Sequence, residues 1–136
     1  MAVEHLDPEG APAVEGIAQV SIGRGSKVVF FSGQIGRLLD GSPAGEDLRS
    51  QTAQALRNLQ AIADAAGVTA ADITKTTILI KDYDSTRFEE FMAGFGEYIG
   101  GGGTIGTIAA ASTLIGVSAL FEPWCQIEID ATAVLD

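Results

Sequence analysis

The sequence predicts an α+β fold in which a mixed sheet carries two helices on one face. Segments with strand-like and helix-like periodicity follow one another in the order β-β-α-β-α-β-β. Each helical segment comes after a strand, so both helices can bury their apolar stripes against the same sheet. The length of 136 residues suits one compact domain, which we place at residues 1–136.

The first two strands are predicted at residues 17–22 and 27–32. Between them lies Gly23-Arg24-Gly25-Ser26, which is typical of a tight turn, so we expect an antiparallel hairpin. Residues 1–16 contain Pro8 and Pro12 without any periodicity of apolar side chains. We expect this stretch to form an arm or an edge segment.

A first helix is predicted over residues 48–66. Side chains recur three and four positions apart at Leu48, Thr52, Ala55, Leu56, Leu59, Ile62, Ala63 and Ala66. This spacing gives one helical face. Asp47 can cap the start of the helix, and Gly67 can adopt the left-handed conformation that ends it. The β-branched stretch at residues 73–80 predicts the next strand.

A second helix begins after Asp84 or Ser85, either of which can cap it. Its apolar stripe consists of Phe88, Phe91, Met92, Phe95 and Ile99. The glycine run at residues 100–103 ends the helix. Residues 112–117 and 124–134 alternate well enough to predict the last two strands.

One face of the sheet is expected to stay partly apolar after the helices have packed. Ile78, Ile80, Ile127 and Ile129 are not all expected to point at the helices. Hydrophobic residues make up 46% of the chain, and the mean hydropathy of +0.25 is high for an acidic sequence. A second copy of the sheet is the simplest cover for this face, so we expect copies to associate.

Charge and composition exclude several classes of protein. Eight basic residues against eighteen acidic ones give a net charge of −10, which repels nucleic acid. The long uncharged stretch at residues 98–121 is too rich in glycine for a membrane helix. The acidic N-terminus does not resemble a secretory signal, so we expect a cytoplasmic protein that binds neither nucleic acid nor membranes.

The single cysteine and the single histidine limit the chemistry further. Cys125 cannot form an internal disulfide, and we expect it to be a buried structural residue. His5 lies in the N-terminal segment, apart from other candidate residues. We therefore expect no Ser-His pair within one subunit, no metal site and no cofactor.

Five stretches in order resemble the RidA/YjgF family of small proteins. They are Phe31-Ser32-Gly33-Gln34-Ile35, the helical Gln54-Ala55-Leu56-Arg57-Asn58-Leu59, Ala65-Ala66-Gly67 with Asp72-Ile73-Thr74-Lys75-Thr76-Thr77, Ile80-Lys81-Asp82, and Ile127-Glu128-Ile129-Asp130-Ala131. The resemblance implies the chorismate-mutase-like α+β fold and a homotrimer whose sheets line a central barrel-like core. It also implies small-molecule clefts between adjacent subunits.

The resemblance implies an activity as well. Characterised relatives hydrolyse reactive enamines and 2-imino acids to a keto acid and ammonia. Glu128 matches the glutamate that orients water in this family. An arginine that binds the substrate carboxylate stands where this chain has Ala111, and a pocket tyrosine stands where it has Ile17. Neither Arg nor Lys occurs after Arg87, so we identify a divergent member that lacks the substrate-binding arginine.

The predicted site follows from these matches. Glu128 is the predicted catalytic residue, and the predicted substrate-binding residues are Ile17, Phe31, Ser32, Gly33, Gln34, Ala111, Ser112 and Thr113. Loss of the arginine favours a neutral or cationic, more apolar ligand over a 2-imino acid. A non-catalytic metabolite-binding or partner-binding protein and an ordinary imine deaminase remain alternatives, with ribonuclease activity a poor third. The glycine-rich residues 100–106 are a candidate lid.

Overall fold

The computed structural model describes residues 2–136. Its helices and strands are β1 (Val3–Leu6), β2 (Val20–Gly23), β3 (Lys27–Ile35), α1 (Leu48–Ala65), β4 (Ile73–Lys81), α2 (Ser85–Gly100), β5 (Ala111–Val117) and β6 (Ile127–Leu135). A short 3-10 turn at Ala70–Asp72 leads into β4. The predicted α+β class is confirmed, and only β1 was not predicted as a separate strand.

The main sheet has four strands in the order β3-β6-β4-β5. β4 and β5 are parallel, because α2 carries the chain back to the same end of the sheet. The pairs β3–β6 and β4–β6 are antiparallel. The central position of β6 explains the burial of every second residue along it.

Both helix starts are capped by the predicted aspartates. The Asp47 carboxylate accepts a hydrogen bond from the Ser50 N–H at 3.0 Å. The Asp84 carboxylate accepts from the N–H groups of Thr86 and Arg87. These bonds lower the pKa of both carboxyl groups, the backbone bond from Ser50 being the largest cause for Asp47 and the Thr86 hydroxyl for Asp84.

The two helices are in close contact at Gly94. A Cβ atom on this residue would lie 2.4 Å from the Arg49 carbonyl oxygen and 2.7 Å from Thr52 Cβ. Arg49 also forms an ion pair with Glu97 across the same contact. α2 therefore packs firmly on α1, which in turn packs on β3 and β6.

The core corrects our expectation about the sheet isoleucines. Ile78 of β4 lies opposite Ile129 of β6, and Ile80 lies opposite Ile127. All four side chains face the helices. None of these four side chains therefore belongs to the opposite face of the sheet. We define the opposite side of the main sheet as the open face, which carries the exposed Val28 and Phe30 of β3 and Ile115 of β5.

The predicted hairpin between the first two strands was wrong. β2 pairs with β1, from Val3 opposite Gly23 to Leu6 opposite Val20, and not with β3. The turn lies close over the end of β6, since a Cβ atom on Gly25 would be 2.2 Å from the Leu135 carbonyl oxygen. The N-terminal segment therefore supplies the partner strand of β2. Residues 1–16 have no periodic pattern from which this long-range pairing could be predicted.

Candidate functional site

Glu128 lies on the open face of the central strand. Its strand neighbours in register are Leu79 of β4 and Ile35 of β3. The side chain extends over Gly33, where an added Cβ atom would be 2.2 Å from Glu128 Oε2. Within residues 2–136, no side chain or backbone group forms a hydrogen bond or ion pair with this half-buried carboxylate. Both carboxylate oxygens can therefore accept hydrogen bonds from water or a ligand.

A β-bulge brings the loop-like residues of β3 beside Glu128. The register between β3 and β6 shifts between Phe31 and Gln34, so Ser32 and Gly33 share a place that one residue would fill. Both residues are exposed, and the Gln34 side-chain amide donates to the Ser32 carbonyl at 3.1 Å. The bulge thus turns a polar backbone segment toward the carboxylate.

The aromatic residue on the open face near Glu128 is Phe30. Phe31 was predicted from the sequence to be a substrate-binding residue. The Phe31 side chain packs against the core on the helix side, so it does not line the surface around Glu128. Phe30 is 78% exposed on the open face. Val29 is partly buried against the core, and strict alternation along β3 would have identified Phe30 on the open face, because successive side chains point to opposite faces.

The three predicted β5 residues divide between the two faces of the sheet. Ala111 and Thr113 are in register with Lys75 and Thr77 on the open face. Ser112 faces the helices, where its hydroxyl accepts a hydrogen bond from Thr76 Oγ1 at 2.7 Å. Ser112 therefore does not belong with the open-face residues near Ala111.

A lysine that was not among the predicted site residues lies beside Ala111. Lys75 is the strand neighbour of Ala111, and its ammonium donates to Thr113 Oγ1 at 2.6 Å. Arg24 and Arg37 are instead engaged by carboxylates, at 3.4 Å and 3.0 Å from Glu4 and Glu122. Among the described residues, no carboxylate forms an ion pair with Lys75. The absence of arginine at residue 111 thus leaves a single ammonium nearby.

Glu128 and Ala111 lie far apart within one protomer. Glu128 is opposite Leu79 and Ala111 is opposite Lys75, so they differ by two strands and four positions along β4. Ordinary strand dimensions place their Cα atoms about 16 Å apart. A small imino acid cannot contact both residues of the same protomer, and a cleft that contains both requires a second copy.

Ile17 lies on the opposite side of the sheet from Glu128. It lines a cavity of about 370 Å³ between α2 and the helix-facing side of β4 and β5. Ser112 lines the same space, which we call the apolar cavity. The N–H of Ala18 donates to the Ala110 carbonyl at 3.0 Å and holds this segment beside β5. The predicted substrate-binding set therefore combines residues from two separate places.

The expectation of no Ser-His pair within one subunit was wrong. Pairing of β1 with β2 places His5 Nδ1 2.8 Å from Ser21 Oγ. The Ser21 hydroxyl also accepts a hydrogen bond from the Ala111 N–H at 2.9 Å. Cys125 is fully buried, and burial raises the pKa of its thiol, which makes it a poor nucleophile.

The glycine-rich segment after α2 is held in place and borders the apolar cavity. The Tyr98 hydroxyl accepts hydrogen bonds from the N–H groups of Thr104 and Ile105 and donates to Gln60 Oε1. Ile105 is only 3% exposed. The candidate lid at residues 100–106 therefore borders the apolar cavity, on the helix side of the sheet.

Metal-binding clusters and membrane-spanning helices are both absent from residues 2–136. No group of three or more His, Cys, Asp or Glu side chains in this part of the chain is arranged to bind a metal ion. No helix there is long and apolar enough to cross a membrane.

Comparison with known proteins identifies the family. The profile of the family described as "Endoribonuclease L-PSP" matches residues 11–135. The chain belongs to this family, the RidA/YjgF family. The matched residues include the whole main sheet and both helices, and only β1 lies outside them.

Relatives and solved structures agree with this assignment. A "RutC family protein" of Haemophilus influenzae is 36% identical over 97 residues, covering 68% of this chain and 74% of that protein. A "2-iminobutanoate/2-iminopropanoate deaminase" of Salmonella typhimurium is 40% identical over 74 residues, covering 54% of this chain and 57% of the RidA relative. The Yersinia pestis Rid-family protein YyfB superposes with a TM-score of 0.85 at 28% identity, covering 99% and 100% of the two chains.

Proposed function

We propose that this RidA-family chain hydrolyses small imines, with Glu128 as the residue that positions and activates water. The observation that carries the proposal is the unbonded Glu128 carboxylate above the exposed bulge at Gly33. A carboxylate with free acceptor sites beside exposed backbone N–H groups can orient water and a polar substrate at once. The deaminase activity named for the Salmonella relative supports the same reaction class.

The proposed reaction needs no cofactor. A Glu128 oxygen accepts a proton from water as the water oxygen bonds to the imine carbon, and the C=N electron pair moves to nitrogen. Glu128 returns this proton to the nitrogen, which gives the neutral carbinolamine. The carboxylate then accepts the hydroxyl proton and passes it to the nitrogen, so the C–N bond breaks, ammonia leaves and a carbonyl group forms. An enamine enters this sequence after it tautomerises to an imine.

The proposed substrate is an imine without a carboxylate group. A 2-imino acid, which has one, would bind only weakly. Removal of one partner from a buried arginine–carboxylate pair costs about 2 to 5 kcal/mol, and Ala111 cannot supply the arginine side of such a pair. Lys75 offers one mobile ammonium already hydrogen-bonded to Thr113. A point charge on a flexible stem attracts a carboxylate but does not fix its orientation.

We propose a homotrimer as the functional form. The separation of Glu128 from Ala111 supports a cleft built from two protomers, in which each copy contributes a different surface. The exposed Phe30 and Val28 on the edge strand β3 are available for that contact. A cytoplasmic location and the absence of membrane partners remain predictions from the sequence.

Turnover of freshly generated imines tests the proposed reaction. We expect a neutral imine, such as that of acetone, to be hydrolysed faster with the protein than without it. Glu128→Gln should abolish the difference while the melting temperature changes little, because the side chain is half-buried and unpaired. Equal rates for the wild type and Glu128→Gln, or no acceleration at all, would overturn the proposed enzyme.

A non-catalytic metabolite-binding protein is the second candidate. The alanine at residue 111 favours it, because loss of a fixed carboxylate partner removes orientation before it removes binding. Calorimetric binding of a 2-keto acid or a neutral ketone without imine turnover supports this candidate. Ribonuclease activity is not proposed, because eighteen acidic residues against eight basic ones oppose the approach of RNA.

A further inference from the structure

We propose that the apolar cavity is a binding site for a neutral, mainly apolar small molecule that carries one hydrogen-bond acceptor. The cavity lies on the helix side of the sheet, whereas Glu128 lies on the open face. It is therefore a second site, independent of the proposed imine chemistry. Its volume of about 370 Å³ falls within the range of small-molecule pockets.

The walls of the cavity come from the apolar stripe of α2 and from two strands. Phe88, Met92 and Phe95 form one wall, and Ile78 and Leu114 form the facing wall. Phe88 and Met92 remain 43% and 44% exposed. This part of the predicted apolar stripe therefore stands away from the sheet and does not pack on it.

Tight contacts hold α2 in this raised position. Gly94 fits against Arg49 and Thr52 of α1 with no room for a side chain. At the far end, Gly106 has a φ angle of +92° and lies against the Phe95 ring, where a Cβ atom would be 2.6 Å from Phe95 Cε2. Collapse of the cavity would break both contacts.

A pair of hydroxyl groups supplies the only hydrogen-bonding function in the strand wall. Thr76 Oγ1 and Ser112 Oγ lie 2.7 Å apart, and both residues line the cavity. The pair has two protons and uses one between its members, so one proton remains to donate. A carbonyl or ether oxygen of a bound molecule is the complementary group, since an unmet donor in an apolar space is unfavourable.

The rim determines the charge of the ligand. Glu15 is the one ionisable residue that lines the cavity, and no Lys or Arg lines it. A carboxylate would meet this negative charge without a compensating cation. We therefore infer that the occupant is a neutral ketone, ester or ether, and not a fatty acid anion.

Fluorescence of N-phenyl-1-naphthylamine, a neutral apolar probe, tests the site. We expect saturable enhancement with one probe per chain, and displacement by 2-nonanone at concentrations at least tenfold below those needed for nonanoate at pH 7. Glu15→Gln should reduce the difference between the concentrations of 2-nonanone and of nonanoate that displace the probe. Ser112→Ala should weaken 2-nonanone about three- to tenfold, as expected for one neutral hydrogen bond, with little effect on the probe.

Cavity-filling variants separate binding in the cavity from binding at the surface. Met92→Trp should reduce probe affinity at least tenfold, whereas Leu39→Trp, at a fully exposed loop position, should leave it unchanged. If Met92→Trp fails to fold, Ile108→Trp fills the same space. Glu128→Gln should bind the probe as the wild type does, so failure of the imine activity leaves this result intact.

Three outcomes would overturn the proposal. Absence of saturable probe binding would show that the cavity closes in solution. Equal effects of Met92→Trp and Leu39→Trp would place the probe elsewhere. A crystal structure with 2-nonanone that shows α2 packed on β4 and β5, or a side chain of another protomer in the cavity, would assign the space to the protein itself.

Discussion

The Glu128 carboxylate occupies the space above Gly33 that a side chain at residue 33 would fill. An added Cβ atom would lie 2.2 Å from Oε2 and 2.6 Å from the carboxyl carbon. The β-bulge at this point and the absence of a side chain act together, because the bulge exposes the backbone and glycine lets the carboxylate lie over it. The pair defines the proposed water-binding position.

Gly33→Ala should therefore impair catalysis more than stability. The methyl group forces the Glu128 side chain to another rotamer, and a displacement of about 1 Å at a reacting group can lower the rate about 100-fold. We expect kcat for a neutral imine to fall at least tenfold, with a melting temperature within a few degrees of wild type. Gly10→Ala, at an exposed position with open space, is the control. An unchanged kcat would contradict the assigned role of Glu128.

Ala111→Arg should restore recognition of a substrate carboxylate. The new side chain emerges beside Lys75 on the open face and supplies the planar pair of donors that the lysine lacks. We expect kcat/KM for 2-iminopropanoate to rise about tenfold or more, with little change for a neutral imine.

Lys75→Met should lower the residual activity on 2-iminopropanoate in the wild type. The removed ammonium is the nearest cation to Ala111 in the described strand register. Lys27→Met, at the exposed start of β3, controls for a change of net charge alone. Equal losses in the two variants would show that Lys75 acts only through long-range charge.

Gly94 and Gly96 should respond oppositely to substitution by alanine, although they are two residues apart in α2. Gly94→Ala forces the helices apart at Arg49 and should cost about 1–3 kcal/mol of unfolding free energy. Gly96 has open space around it, so Gly96→Ala should raise the unfolding free energy by about 0.5–1 kcal/mol through the higher helix propensity of alanine. Urea unfolding at constant protein concentration measures both, and a stabilised Gly94→Ala variant would refute the close helix contact.

Asp47→Ala should destabilise the fold in a pH-dependent way. Loss of the cap costs about 1 kcal/mol at neutral pH. The pKa of Asp47 is lowered in the folded state, mainly by the Ser50 N–H, so its charged form stabilises the fold above the unfolded pKa near 4. That contribution disappears as the pH falls through the folded pKa. Urea unfolding at pH 7 and pH 3 should show a large and a small difference, respectively.

Asp47→Asn is the control for this charge effect. Asparagine also caps helices, but it does not titrate. We expect this variant to retain most of the stability at pH 7 and to reduce the pH dependence. A difference between wild type and Asp47→Ala that stays constant from pH 7 to pH 3 would contradict the role of the ionised carboxylate.

Local signals were sufficient for the helices and for most of the main sheet. Asp47 and Asp84 cap the helices as predicted, and α1 ends at Ala65, close to the predicted limit. The pairing of the first strands was predicted wrongly, because β2 pairs with β1 across a connection that includes Pro8 and Pro12. Partner choice depends on contacts such as His5 with Ser21, which no pattern within one segment reveals.

The candidate site shows the same division. Glu128, Ser32, Gly33 and Gln34 were predicted together; the bulge brings Gly33 beside the Glu128 side chain, whereas Gln34 lies opposite Ile129, which faces the helices. Ile17 and Ser112 were grouped with them, but they line the apolar cavity on the other side of the sheet. Lys75 was overlooked because its nearness to Ala111 exists only through the parallel register of β4 and β5.

The sequence by itself determined the fold class, the helix limits and the alanine at residue 111, since periodicity, caps and residue identity are local properties. Only the tertiary structure decided which face each strand residue takes and what lies across from it. A shift of one position in register moves a side chain from one face to the other. For this reason the Glu128 surface, the Lys75 ammonium and the apolar cavity became separate features only after the strands were paired.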